Sequence, residues 1–517
     1  MRCTFRIKML RRTYCASCIG VDSITVTIEV DVTQGISFYL VGLPDSAVRE
    51  SQQRITTALK AVGAKIPGKR IVINMAPADV RKEGSSFDLA IAVGILAATD
   101  QYLFNNLENF IIMGELALDG SLRPVKGVLP VAVHARRSGF KGCIFPEESA
   151  REAAEIDGID IYGVRHLEEV ISILSGESRL EPMERVRVAA AARAAEDLPD
   201  FGDILGQESA KRALEIAAAG NHNILLCGTP GSGKTIMAKA TAGILPEMTR
   251  DESLETSKIY SVAGKSNPGG GLMRERPFRS PHHSSSACAI AGGGTNSVPG
   301  EISLAHNGIL YLDEIAEFPR HVLDLLRQPM EERVVHVSRL RQKLVYPANF
   351  MLMASMNPCP CGFYGQPGDR CSCTPFAVSR YLSKISGPLM DRIDMHIDVQ
   401  PVTAESLTGE SRAESSSAIR ERVEAARRIQ QERFSGEYDT NAQIPVRDMK
   451  KYCHTGPAET RLLTTAIARL NLSARSYSRI LKVARTIADL DSSQNITVAH
   501  LAEAIQYRGD ALRRNSC

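Results

Sequence analysis

The sequence contains no tryptophan, and aromatic residues make up only 5% of its 517 residues. It also lacks a strong charge bias, because 62 lysines and arginines face 59 aspartates and glutamates, for a net charge of +3. A near-neutral total does not mark a nucleic-acid-binding protein, although a basic channel can form within one. The evidence for function therefore has to come from local motifs rather than from overall composition.

No stretch of the sequence reaches the roughly 18–20 consecutive apolar residues that a membrane-spanning helix needs. The basic N-terminus, residues 1–20, lacks the long apolar segment of a secretory signal peptide. Twelve cysteines are spread over the chain, with four of them clustered between positions 359 and 373. This distribution is typical of free thiols plus one metal site in a reducing compartment. We therefore expect a cytoplasmic protein that does not enter a membrane.

The chain is too long for one hydrophobic core, and its length predicts about two to four domains. Residues 1–175 alternate β-branched runs with helical patterns, which predicts a mixed α and β domain. Residues 176–200 are rich in arginine, glutamate and alanine and are expected to form a linker. Residues 201–400 carry the nucleotide-binding motifs described below, and residues 401–517 are expected to be helical.

A glycine-rich loop follows the short apolar run at residues 223–227 and precedes a helical pattern at residues 236–244. Strand, glycine loop and helix in this order form the context in which a P-loop binds phosphates. The glycines let backbone N–H groups surround the phosphates, and the helix N-terminus adds partial positive charge. Lys234 is predicted to reach the β- and γ-phosphates of ATP, and the Thr235 hydroxyl to hold Mg²⁺. The predicted ATP-binding loop consists of Gly228, Thr229, Pro230, Gly231, Ser232, Gly233, Lys234 and Thr235.

A second hydrophobic run, residues 308–312, ends in two adjacent carboxylates. At this distance after a P-loop, Asp313 is predicted to bind Mg²⁺ and Glu314 to polarise the water that attacks the γ-phosphate. A third strand is predicted over residues 350–355. Asn357 follows it, at a place where a polar side chain can sense the γ-phosphate. The alternative for Asn357 is an ordinary turn residue before a proline.

Two arginines are candidates for contacts with the γ-phosphate from outside the P-loop. Arg392 lies in the run GPLMDRID, and in a ring ATPase such an arginine enters the neighbouring subunit's active site and stabilises transition-state charge. Arg475 lies on a helix predicted over residues 473–490, with Arg479 and Lys482 on the same face. The alternatives are a solvated or ion-paired Arg392, and a helix face that is basic and solvated.

Four cysteines follow the third strand as two C-x-C pairs with nine residues between them. Four thiolates fit a tetrahedral structural Zn²⁺ site, although the C-x-C spacing is tighter than the usual two-residue gap. The prolines and glycines around the cysteines leave the loop without a core of its own, for which a metal would compensate. The alternative is four reduced cysteines on an ordered loop. The candidate zinc ligands are Cys359, Cys361, Cys371 and Cys373.

Two further motifs, RPFRSPHHS at residues 276–284 and PGEISLAH at residues 299–306, resemble the magnesium-chelatase-like group of AAA+ ATPases. VGLPD at residues 41–45 and KEGSSFDLA at residues 82–90 narrow the resemblance to the YifB/ComM family, over nearly the whole chain. The resemblance implies an α/β multidomain protein with a Lon-protease-like α+β N-terminal domain, an AAA+ P-loop core of αβα layers and a C-terminal helical lid. It also implies a hexameric DNA helicase that drives branch migration of recombination intermediates in natural transformation.

Basic residues on a glycine- and serine-rich stretch, residues 265–286, are the candidates for DNA contact. Basic residues on flexible loops suit contacts with phosphates that do not depend on sequence. The alternative is an ordinary loop at a subunit interface, whose charges are solvated. The DNA-contact candidates are Lys265, Arg274, Arg276 and Arg279.

Ser86 lies where the Lon-like resemblance places a catalytic serine, which Lon pairs with a lysine as base. An ungapped match places Leu129 at the lysine's position, with Lys126 three residues earlier. We therefore expect an N-terminal domain that does not cleave peptides. Two functions remain: a ring ATPase that moves on DNA, and a chelatase-type ATPase that remodels a protein partner.

Overall fold

The chain divides into two units, which the computed structural model describes separately. The first unit comprises Met1–Ala189 with Ser253–Met273, and the second comprises Ala190–Glu252 with Arg274–Cys517. The four-part division expected from the sequence stays a prediction. The grouping into two units differs from it, because Ser253–Met273 joins the first unit. The structure describes residues 10–65, 68–184, 198–267, 270–294, 298–338, 343–365, 370–401, 413–470 and 472–509.

The first unit is built on a mixed sheet. Its strands are β1 (Arg11–Ile19), β2 (Asp22–Thr33), β3 (Ser37–Val41), β4 (Arg70–Ala76), β5 (Phe110–Ile112), β6 (Glu115–Leu116), β7 (Leu122–Arg123), β8 (Gly142–Pro146) and β9 (Asp160–Val164). Seven of them form one sheet in the order β3-β4-β2-β1-β5-β8-β9, and β6 pairs with β7. β2 pairs antiparallel with β1 and β4, while the outer strands pair in parallel. Val26, Ile28 and Val30 alternate along β2 and are fully buried, because alternate side chains of a strand share one face.

Helices cover this sheet. Asp88–Ala98 is buried along its whole length, since nearly all of its residues are apolar. Ser46–Ala61 begins after Asp45, whose carboxylate accepts a hydrogen bond from the N–H of Val48 and so caps the helix. The further helices of the unit are Val128–Arg137, Glu147–Ala153 and Leu167–Ser175, and Arg250–Ala263 runs across the boundary between the units.

The second unit is built on a parallel sheet. Its strands are β10 (Ile224–Gly228), β11 (Phe278–Arg279), β12 (Gly292–Gly293), β13 (Val298–Pro299), β14 (Ile309–Leu312), β15 (Val334–Ser338), β16 (Lys343–Pro347), β17 (Met351–Met356) and β18 (Met395–Val399). Five of them form one sheet in the order β11-β14-β17-β10-β18, and all of these neighbours pair in parallel. Their carboxyl ends therefore lie at one edge of the sheet and their amino ends at the opposite edge. β12 with β13 and β15 with β16 form two small antiparallel pairs.

The C-terminal part of the second unit is helical, as predicted. Ile480, Val483, Ala484 and Ile487, the predicted apolar face of one helix, are buried in the same core as β10 and β17. Within the described ranges, no helix is both long enough and apolar enough to cross a membrane. The α-helices of the unit are Glu208–Gly220, Lys234–Ile244, Ala287–Ala291, Glu301–Leu304, Arg320–Asp324, Arg327–Glu332, Pro375–Leu382, Gly387–Met390, Ser416–Phe434, Met449–Tyr452, Pro457–Leu470, Ala474–Leu490 and Val498–Gly509.

Candidate nucleotide-binding site

The predicted P-loop connects the end of β10 to the helix Lys234–Ile244. Gly231 and Gly233 have φ angles of 78° and 86°, a left-handed conformation that glycine adopts without strain. Gly228 is required for space, because a Cβ there would lie 2.6 Å from the carbonyl oxygen of Val399. The backbone path thus needs glycine at three places, and it ends at a helix N-terminus whose first N–H groups can bind an anion.

Lys234 lies between the P-loop and the next strand of the sheet. Its Nζ donates to the carbonyl oxygens of Gly228 at 2.7 Å and Thr229 at 2.8 Å, and it lies 3.3 Å from Oδ1 of Asn357. Asn357 directly follows β17, which pairs beside β10 with Met356 opposite Cys227. Burial lowers the pKa of Lys234 from its usual value. The structure therefore brings the predicted phosphate-binding lysine and the predicted sensor within contact of each other.

The predicted Mg²⁺ ligands also meet at this edge. Oγ1 of Thr235 lies 3.2 Å from Oδ2 of Asp313, which follows β14. Hydroxyl and carboxylate oxygens are the hard ligands that Mg²⁺ prefers, so the pair fits this ion. Glu314 comes next, exposed and in a left-handed conformation with φ of 52°.

Two residues that the motifs do not predict orient the Asp313 carboxylate. The Tyr311 hydroxyl donates to its Oδ1 at 2.9 Å, and the Ser355 hydroxyl donates to the same oxygen. Burial raises the pKa of Tyr311, so the phenol stays a donor. Strand periodicity would have found Tyr311, because residues two apart in a strand share a face. Ser355 lies in the neighbouring strand, two residues before Asn357. Its contact with Asp313 could be predicted only if the order of the strands in the sheet were known.

Arg392 lies at the opposite edge of the parallel sheet. Asp394 directly precedes β18 and accepts a hydrogen bond of 2.8 Å from the N–H of Asn223, which directly precedes β10. β10 spans about 13 Å from its first to its last Cα, so Arg392 is remote from the P-loop of its own chain. The Arg392 guanidinium donates to the carbonyl oxygen of Pro388 at 2.8 Å and pairs with Glu331 at 3.0 Å. Within this chain, Arg392 is therefore ion-paired, which corresponds to the alternative interpretation of this residue.

Arg475 is found at the same remote edge. Its helix Ala474–Leu490 also carries Arg479, which pairs with the buried carboxylate of Asp394. Arg475 is exposed, one turn before Arg479. Its helix thus packs where the strands begin, through Arg479, and the contact of Arg475 with a γ-phosphate stays a prediction.

The basic face of this helix is not a solvated surface either. Nζ of Lys482 donates to the carbonyl oxygen of Ala442 at 2.8 Å, and burial lowers the pKa of Lys482 to about 8. Arg479 pairs with Asp394. Burial alone would raise the pKa of the Asp394 carboxyl, but the charges of Arg479 and His222 outweigh it and lower this pKa to about 2. Two of the three basic residues thus belong to a buried charge cluster.

The predicted DNA-contact residues divide into two groups. Arg276 pairs with Glu252 at 2.9 Å and donates to the carbonyl oxygen of Asn307 at 2.8 Å, and Arg279 pairs with Glu301 at 2.6 Å. These two arginines are thus engaged in ion pairs within the chain rather than solvated, and their contact with DNA stays a prediction. Lys265, in the first unit, and Arg274, in the second, are exposed.

The four clustered cysteines come together in space. Their Sγ atoms all lie within 4.8 Å of one another, with separations of 3.3 Å for Cys359–Cys361, 3.7 Å for Cys359–Cys371 and 3.6 Å for Cys361–Cys371. A tetrahedral zinc site with metal–sulfur bonds of about 2.3 Å has sulfur–sulfur edges of about 3.8 Å. The backbone N–H of Phe363 and the thiol of Cys359 lower the pKa of Cys361 to about 6, whereas, despite a hydrogen bond from the backbone of Cys373, burial and the thiols of Cys361 and Cys359 raise the pKa of Cys371. The cluster, completed by Cys373, has the donor set of a metal site.

The Lon-like serine, Ser86, lies just before the buried helix Asp88–Ala98. Among the described residues, no side chain hydrogen-bonds to the Ser86 hydroxyl. Leu129, at the lysine's position, is 1% exposed in the core of the first unit. The Lys126 side chain lies against Gly264, where a Cβ would be 2.5 Å from its Cε. These contacts agree with an N-terminal domain that does not cleave peptides, which stays a prediction.

Comparison with known proteins gives matches over most of the chain. The family described as magnesium chelatase, subunit ChlI, matches residues 200–407, the family described as subunit ChlI of Mg-chelatase matches residues 28–149, and its C-terminal family matches residues 413–508. Over 499 residues, the chain is 44% identical to competence protein ComM of Haemophilus influenzae, covering 96% of each protein. Over 494 residues it is 42% identical to the uncharacterized protein YifB of Salmonella typhimurium, covering 95% of each.

The likeness to Lon is weaker and partial. Lon protease 2 of Bacillus subtilis is 32% identical over 127 residues, which are 24% of this chain and 22% of the protease. The magnesium-chelatase matches and the nearly full-length relatives decide the family. The chain belongs to the YifB/ComM family of magnesium-chelatase-like proteins.

Proposed function

We propose that the chain is an ATP-hydrolysing AAA+ ring motor that acts on DNA. The observation that carries the proposal is the convergence of Lys234, Thr235, Asp313 and Asn357 at the carboxyl edge of one parallel sheet. Ligands of open α/β sheets bind at this edge, and a lysine with a helix N-terminus balances phosphate charge. The magnesium-chelatase-like family supports the same activity.

In this proposal the P-loop N–H groups and Lys234 bind the phosphates of ATP. Mg²⁺, when bound, neutralises charge that develops on the phosphates. Thr235 and Asp313 hold the ion. Tyr311 and Ser355 both donate to Oδ1 of Asp313, so Oδ2, the oxygen beside Thr235, is the one that would bind Mg²⁺. Glu314 polarises the attacking water, and Asn357 senses the γ-phosphate.

The position of Arg392 supports a ring. The nucleotide site lies at one edge of the sheet and Arg392 at the other. Arg392 can therefore complete only the nucleotide site of a neighbouring chain, through a head-to-tail interface. Arg475 lies at the same edge as Arg392, so we assign it to the neighbour's nucleotide as well. Head-to-tail interfaces that close form rings, and the family resemblance favours a hexamer.

The DNA part of the proposal rests on similarity. The relative with 44% identity is named a competence protein, and this name supports a role that involves DNA. Branch migration of recombination intermediates during natural transformation is the action we assign. Lys265 and Arg274, exposed and basic, are the residues we assign to phosphate contact. The N-terminal unit is then a scaffold without peptidase activity.

A second function, remodelling of a protein partner, is favoured by one observation. All three matching families are described as a magnesium chelatase subunit. A chelatase-type ATPase would hydrolyse ATP at the same site without a response to DNA.

We also assign Zn²⁺ to the four cysteines. Four thiolates at the corners of a tetrahedron form the site that zinc prefers. The assignment predicts one zinc per chain in protein purified without chelator, and clearly substoichiometric zinc would contradict it.

The test is ATP hydrolysis by the purified chain without DNA and with single-stranded, duplex or four-way-junction DNA, at low and moderate salt. Stimulation that weakens as salt rises is expected, because phosphate contacts release counterions. Lys234→Ala is the matched control and should show no hydrolysis with any DNA. Robust hydrolysis that no DNA changes would replace the DNA motor by the protein-remodelling function.

A further inference from the structure

The four-cysteine loop touches the P-loop at two points. The first is the segment that leads into it, because Asn357 lies two residues before Cys359 and accepts a hydrogen bond from Lys234 at 3.3 Å. The second is Gly362, which directly follows Cys361. A Cβ on Gly362 would lie 2.6 Å from Cδ and 2.7 Å from Cγ of Pro230, so the backbone of Gly362 lies against the ring of Pro230.

The loop has little apolar material to hold this position by itself. Of its described residues between Cys359 and the helix Pro375–Leu382, Gly362 alone is buried. Among the described residues, its internal hydrogen bonds include two that hold the turn around Gly362. The N–H of Gly362 donates to the carbonyl oxygen of Cys359 at 3.0 Å, and the N–H of Tyr364 donates to the Cys359 sulfur at 3.3 Å. Both of these bonds involve Cys359, whose sulfur belongs to the cluster. The place of Gly362 therefore depends on how the four sulfurs are fixed.

We infer that the four cysteines bind a Zn²⁺ ion whose role is to position the P-loop, by holding Gly362 against Pro230 and Asn357 beside Lys234. Zinc is here a structural part of the nucleotide site rather than a local staple of a surface loop. Gly362 is a positioning residue, since it touches the P-loop and not the nucleotide. The left-handed φ of 87° and the contact with Pro230 both explain why glycine stands there. This inference rests on the proposed ATP site.

The experiment measures the affinity of the full chain for a fluorescent ATP analogue with Mg²⁺, before and after zinc is removed by a chelator under reducing conditions. Metal analysis follows the zinc content, and far-UV circular dichroism follows the fold. We expect the dissociation constant to rise about tenfold or more on removal, which corresponds to about 1.4 kcal/mol, and to recover when zinc is returned.

Variants separate the metal from the contact. Cys361→Ser and Cys371→Ser should lose both zinc and nucleotide affinity, and added zinc should not restore them. The matched control is Cys288→Ser, which changes an exposed cysteine outside the cluster and should alter neither. Gly362→Ala should keep its zinc and still lose nucleotide affinity, because its Cβ meets Pro230.

Each outcome decides a different claim. Nucleotide affinity that stays unchanged in folded, zinc-free protein overturns the positioning role and leaves the proposed ATPase intact. Normal nucleotide affinity of the Gly362→Ala variant would overturn the claim that zinc acts through the contact of Gly362 with Pro230. If the zinc-free protein unfolds, this variant is the test of the positioning role. Failure of zinc-loaded wild-type protein to bind the analogue would overturn the proposed function itself. Protein that holds no zinc as purified and takes up none overturns the metal assignment.

Discussion

The most specific consequence of the sheet geometry concerns Arg392. Arg392 and the P-loop lie at opposite edges of one sheet, separated by a strand of about 13 Å, so the arginine can stabilise transition-state charge only in a neighbouring chain. Arg392→Ala should lower the rate of hydrolysis on the order of 10³-fold while ATP affinity is kept. Glu314→Gln should also abolish hydrolysis, but for a different reason. This variant keeps Arg392 and loses the carboxylate that polarises the attacking water.

Mixing the two inactive proteins gives a number that the geometry fixes. In a ring assembled at random from equal amounts, about one quarter of the interfaces join an intact site from an Arg392→Ala chain to an intact arginine from a Glu314→Gln chain. The mixture should therefore recover roughly a quarter of the wild-type rate if the sites work independently. The assay is steady-state phosphate release after the subunits have been exchanged.

Arg392→Lys is the control for this experiment. A lysine keeps the charge but cannot form the forked contact of a guanidinium, so its rate should lie close to that of the alanine variant. A mixture no faster than the mean of its two parents would refute the reasoning, since an arginine acting within its own chain cannot be complemented. A normal rate for Arg392→Ala alone would refute the assignment altogether.

Three further predictions follow from individual contacts. Glu314→Gln should bind ATP as tightly as wild type and retain it unhydrolysed, which rapid filtration would show; fast release of product from this variant would contradict the role of Glu314. Asp394→Asn should lower the free energy of unfolding by about 3 kcal/mol in urea, because Arg479 loses its buried partner. Since the folded pKa of Asp394 is depressed to about 2 from 3.8, its contribution is present above pH 3.8 and is lost as pH falls toward 2, and this loss should be absent in the variant. Wild type should not degrade unfolded casein with ATP, and degradation that Ser86→Ala abolishes would contradict the scaffold role.

The parts of the site that the sequence predicts are those in which local order is enough. Strand, glycine loop and helix follow one another within residues 223–244, so their geometry needs no knowledge of distant contacts. Asp313 and Asn357 end neighbouring strands of a parallel sheet, and the carboxyl ends of such strands meet at one edge. The apolar face of the helix Ala474–Leu490 is likewise set by periodicity.

The parts that the sequence does not predict depend on packing between distant segments. Whether Arg475 faces the P-loop depends on which sheet edge its helix packs against, and the Arg479–Asp394 pair across 85 positions determines this. The engagement of Arg276 with Glu252 and the carbonyl oxygen of Asn307 cannot be seen in a basic motif either. No sequence pattern predicts the close approach of Gly362 to Pro230, because neither residue is part of a periodic motif.

The central claim, an ATP-driven motor that acts on branched DNA, is tested most directly by movement of a four-way junction. Purified chain should convert a mobile junction into its two duplex products when ATP and Mg²⁺ are present, and it should not do so with a non-hydrolysable analogue. Glu314→Gln should bind the same junction without converting it. Conversion by this variant, or ATP hydrolysis by wild type with no binding and no conversion of any junction, would contradict the account.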